Sequence, residues 1–187
     1  MIAVFILCIA GLGLTVFYLM YRQVYGSIVK KNSHFAAHLL VIPLIYTIMI
    51  SLGYLLGEIL VGFMSFSGHW ISMALFFFLG MKIYRSVIKT KSNNWTFDTT
   101  HPKVLFLFSL TNGFDAFFTG IALGLFAIFQ PLYSLIFMAG MMVFIILAWI
   151  MAKRKTATLS VWLFASLGSS LLGMNIIVIL IYWLFFL

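Results

Sequence analysis

The chain has 187 residues, 65% of them hydrophobic and only 7% charged, with a mean hydropathy of +1.20. Soluble domains carry roughly a quarter charged residues, and a water-soluble core of this length could not hide so much apolar surface. Eleven Lys and Arg against three acids give a net charge of +8, and their clustering reads as a membrane topology signal rather than a nucleic-acid surface.

Apolar runs of about 18 residues or more can each cross the hydrocarbon layer as a helix. The first lies at 2–20 and lacks a basic n-region and an Ala-x-Ala-like end, so it reads as a retained span, not a cleaved signal. It holds Cys8, the single cysteine, which excludes an internal disulfide and any multi-cysteine metal site. Arg22, Lys30 and Lys31 follow. The second run, 38–61, contains Pro43, read as a kink, and the small pair Gly53 and Gly57. Glu58 sits near its far end, where a carboxylate reaches the interface cheaply. His34 and His38 have chelating i, i+4 spacing but border a basic loop, and an interfacial role is favoured.

After an uncharged turn at 65–69 comes a short third run, 69–84, and a second basic stretch: Lys82, Arg85, Lys89, Lys91 and Lys103. Residues 89–103 form the only long polar segment, hold Asp98 and read as a solvated linker. Runs four, five and six lie at 104–127, 131–152 and 159–186. The turn at 130–131 between four and five is uncharged, while Lys153, Arg154 and Lys155 separate five from six.

Basic and uncharged connections thus alternate. With the basic ones in the cytoplasm, both termini lie outside. The expected fold is an all-α integral membrane protein, one domain over 1–187, with six transmembrane helices, N-out and C-out. The linker divides it into repeats 1–88 and 104–187. Three spans per half force the halves into opposite orientations, the inverted plan of many secondary transporters. Short internal matches agree: Gly13 to Tyr18 aligns with Gly113 to Phe118, and Leu79 to Ile83 with Leu172 to Ile176.

Asp115 is the residue that needs an explanation. It lies about eleven residues into the fourth span, near the bilayer midplane at roughly 1.5 Å per residue. An ionised Asp at that depth costs about 2.5–3.5 kcal/mol on insertion scales, so it must face a partner, water or an ion. Asn112, Asp115 and Thr119 share one helical face at i, i+3 and i+7, offering hard oxygen ligands suited to Mg, Mn or Ca. Three readings stand: a transport site, interhelical glue through another span's polar group, or a proton relay. Ala116, Gly120 and Gly124, like Ala165, Ser169 and Gly173, read as packing faces. No phosphate loop, Ser/His/Asp arrangement or paired intramembrane carboxylates appear, so nothing supports an enzyme.

The segment Thr111 to Phe126 (TNGFDAFFTGIALGLF), with Gly68 to Ile83, resembles the MntP-type manganese efflux pumps of the LysE-like transporters. Six spans, a midpoint linker and inverted halves agree with that family. The resemblance implies a second Asp in span 1, where this chain has Thr15, and a Glu in span 2, where Tyr46 stands. It implies a secondary transporter of the bacterial cytoplasmic membrane exporting a divalent cation, Mn²⁺, with protons as a candidate coupling ion and no resident cofactor. Asp115 and Asn112 would be metal ligands, Thr119 an auxiliary one, and Thr15 the counterpart from the opposite half, with Asn175 a further oxygen donor. The alternative expectation is a degenerate structural or regulatory subunit of a larger membrane assembly. Expected partners are the lipid bilayer, the cation and other membrane proteins, with no nucleic acid.

Overall fold

A computed structural model describes residues 2–29, 35–63, 68–92, 102–126, 131–153 and 158–186. The described residues form six helices: α1 (Ile2–Val29), α2 (Phe35–Phe63), α3 (Gly68–Ser92), α4 (Pro102–Gly124), α5 (Pro131–Lys153) and α6 (Thr158–Phe186). All but α3 contain a stretch long and apolar enough to cross a membrane. Outward-facing side chains are apolar as well: Leu40, Leu44, Ile48, Leu52, Leu55 and Ile59 form an exposed stripe along α2. Such a stripe suits lipid, since helices whose backbone bonds are internally satisfied can turn apolar side chains to hydrocarbon.

Helix α3 departs from the expected span. Apolarity fades after Ile83, yet the helix continues through Arg85, Lys89 and Lys91 to Ser92. Lysine and arginine are good helix formers, so they end an apolar run without ending a helix. The linker is shortened accordingly. His34, Asp98 and Trp95 lie outside the described residues. Helix α2 continues through Pro43, which is buried.

Every extensive helix–helix contact joins one of α1–α3 to one of α4–α6. The pairs are α2 with α4 and α5, α1 with α4, α5 and α6, and α3 with α4 and α6. Together they describe two rows of three, α6–α1–α5 facing α3–α4–α2, with α1 opposite α4. Of these the α2–α4 contact is the most extensive and α1–α4 the slightest.

Neighbouring residues fix the helix directions. Gly53 lies beside Phe117 and Gly57 beside Ile121, so α2 and α4 run parallel. Phe5 stacks near Tyr133 at 4.8 Å and Gly13 meets Phe144, so α1 and α5 are parallel too. Helices α3 and α4 are antiparallel, with Gly68 near Leu125 and the Ser72 hydroxyl donating to the Ala122 carbonyl at 2.8 Å. Helix α6 is antiparallel to α1 (Phe17 with Phe164, Gly11 with Leu172) and to α3 (Trp70 with Trp183, Gly80 with Ser169).

Glycine makes the α2–α4 crossing possible. A Cβ on Gly53 would stand 2.0 Å from the Phe117 carbonyl oxygen, and one on Gly120 would stand 2.2 Å from that of Ile50. Backbones therefore touch directly, the close approach that small residues permit in lipid. In α6 it is Gly168, against the Gly11 carbonyl, that makes such a contact; a Cβ on Gly173 would meet nothing within 4 Å.

Candidate functional site

Asp115 sits at the edge of the buried face of α4. Ala116 and Thr119 beside it are fully buried, while Phe114, Phe118 and Thr111 are exposed. Its Oδ1 accepts a hydrogen bond and ion pair from Lys82 Nζ of α3. The carboxylate side is the enclosed one: 17% of the Asp115 side chain is exposed against 56% of Lys82. A charged carboxylate in a low-dielectric setting demands a counter-charge, and the neighbouring helix supplies it. On the α2 side, Tyr46 is buried within electrostatic reach of Asp115. A cation, a carboxylate and a phenol thus belong to one row of helices, α3–α4–α2.

The remaining expected site residues turn their donors to their own backbones. Asn112 Nδ2 donates to the Phe108 carbonyl and Thr119 Oγ1 to that of Asp115, both at 2.8 Å. Thr15 Oγ1 donates to the Leu12 carbonyl at 2.7 Å, and its methyl group faces Gly168 of α6. Local donation of this kind is common for hydroxyls within helices, and it leaves oxygen lone pairs as the groups able to bind a cation. Asn112 and Thr119 share the Asp115 face, whereas Thr15 belongs to the α1–α6 contact. Asn175 is there too, fully buried, its Nδ2 donating to Cys8 Sγ at 3.6 Å and its Oδ1 without a partner. Among the described residues no group of three or more His, Cys, Asp or Glu side chains could hold a metal ion. A divalent cation here would therefore meet one carboxylate and neutral oxygens.

In the sequence, Lys82 groups with the second basic stretch. A signal for its role was present: it falls inside the third apolar run, and a solitary mid-span acid calls for a cation on another span. Its exposed side borders an open groove of about 440 Å³ lined by Phe78, Met81, Lys82, Arg85 and Ser86.

The sequence profile of a family described as "putative manganese efflux pump" matches residues 28–180. The chain belongs to the MntP family. The match takes in all of α2 to α5 and most of α6, and it leaves nearly all of α1 outside. Both sides of the Lys82–Asp115 pair and Tyr46 thus fall within the MntP-matched region, whereas Thr15 does not. No curated protein and no solved structure matches the chain.

Proposed function

We propose that this MntP-family protein is a multi-pass secondary transporter of the bacterial cytoplasmic membrane that exports a divalent cation, Mn²⁺. Asp115 is the principal ligand, Asn112 and Thr119 add oxygen donors from the same helical face, and Thr15 is the counterpart contributed by the other half. Protons are the candidate coupling ion. The observation carrying this reading is a mostly buried carboxylate on an apolar helix, answered by a cation, in a chain matched by an efflux-pump family.

The transport cycle needs two halves that rock against each other. Exchanging α1 with α4, α2 with α5 and α3 with α6 maps the set of helix contacts onto itself and reverses helix directions. An axis lying in the membrane plane does this, which supports six spans in two inverted repeats. Arg22, Arg85, Lys103 and Lys153 then fall on one side, supporting N-out and C-out.

A second reading draws on the same ion pair: Lys82 and Asp115 join helices in a subunit without transport activity. Uptake of Mn²⁺ into proteoliposomes separates the two. The transporter reading predicts saturable flux by the wild type and none by Asp115→Asn; absence of flux in the wild type would overturn it.

A further inference from the structure

We infer that Lys82 is a tethered substitute for the transported ion, occupying Asp115 whenever the site is empty. The inference rests on the transporter reading above and adds a residue outside the expected ligand set. Four observations carry it. Lys82 Nζ binds the very oxygen that a cation would take. The lysine is more than half exposed and borders an open groove, so its long side chain has somewhere to go when displaced. Arg85, one turn further along the groove, repels Lys82 there and biases it back towards the carboxylate. Finally, the α3–α4 contact is much thinner than its counterpart α1–α6, where neutral Asn175 stands at the position aligned with Lys82 and neutral Thr15 at that aligned with Asp115. Both partners of the ion pair are uncharged in the other row.

A single carboxylate left bare while an emptied carrier resets would meet the full cost of a charge in hydrocarbon. Lys82 removes that cost by forming a neutral pair whenever neither the cation nor a coupling proton occupies Asp115. The transported cation must displace the lysine, and its apparent affinity is reduced by the fraction of molecules in which the lysine is bound.

The test uses full-length protein in lipid nanodiscs, with Mn²⁺ binding read by electron paramagnetic resonance. Lys82→Met is expected to bind Mn²⁺ about tenfold tighter or more than wild type, Lys82→Arg no tighter, and Lys82→Met with Asp115→Asn to lose the gain. In proteoliposomes, Lys82→Met should keep Mn²⁺/Mn²⁺ exchange while net efflux into Mn²⁺-free medium falls severalfold. Lys82→Gln repeats the measurement should the methionine variant not fold. Unchanged or weaker binding by the neutral variants overturns the inference, as does a parallel loss of exchange and net efflux. Tighter binding by the variants with no flux in any protein leaves the lysine in its role and removes the transporter reading instead.

Discussion

Lys82 of α3 and Asp115 of α4 are joined by an ion pair although thirty-three positions separate them in the chain. Removing one partner strands the other, whereas removing both leaves only a shorter contact. Lys82→Met and Asp115→Asn should each destabilise the protein, and the double variant should be less destabilised than their sum. A coupling of about 0.5–1 kcal/mol is expected, at the low end because Lys82 is half exposed. Thermal or chemical unfolding in a defined detergent measures the cycle; strict additivity would mean that the pair contributes nothing to folding.

The second attachment of α3 to α4 is neutral. Ser72→Ala removes the hydroxyl that reaches the Ala122 carbonyl and should cost about 0.5–1.5 kcal/mol. Combined with Lys82→Met, it leaves α3 held mainly by α6, and limited proteolysis after Arg85 should accelerate more than in either single variant.

Glycine substitutions offer an internally controlled comparison. Gly53→Ala and Gly120→Ala place a methyl group into a facing carbonyl and should cost about 1–3 kcal/mol or more through overpacking. Gly62→Ala and Gly173→Ala, where a Cβ meets nothing within 4 Å, should stay within about 0.5 kcal/mol of wild type. Equal effects at all four positions would contradict the close α2–α4 crossing.

Asn175 is fully buried with its Oδ1 unanswered, so exchanging it for an apolar residue of similar size removes a desolvated polar group. Asn175→Leu should leave the melting temperature unchanged or raise it, and should retain Mn²⁺ flux, because Asn175 meets Cys8 and not Asp115. Loss of flux at preserved stability would return Asn175 to the ligand set.

Orientation can be read by labelling single cysteines in a Cys8→Ala background. Arg22→Cys and Lys153→Cys should react with an impermeant maleimide only from the cytoplasmic side, and Gly62→Cys only from outside. The reverse pattern would invert the proposed topology.

Most of the helical plan was legible because hydrocarbon imposes a simple rule: long apolar runs are helices. The end of α3 was not, since hydropathy reports solvent preference while lysine and arginine leave helix propensity intact. Asp115 could be singled out because an acid stands out against an apolar background. Its partner could not be assigned, because spacing along one helix says nothing about which neighbour lies across the gap. The same limit explains Thr15 and Asn175. Alignment of the halves put them in positions equivalent to Asp115 and Lys82, while the packing put Asn175 on Cys8, two turns from Thr15.

Interdigitation of the two halves has a cost during biosynthesis. Since α1, α2 and α3 find their extensive contacts only in later helices, the leading half leaves the ribosome with no partner of its own. Its glycine notches stay unfilled and its lysine unmatched until α4 arrives. A nascent chain arrested after the third helix is therefore a natural client for membrane chaperones and proteases, and the two halves supplied as separate polypeptides should protect each other from degradation.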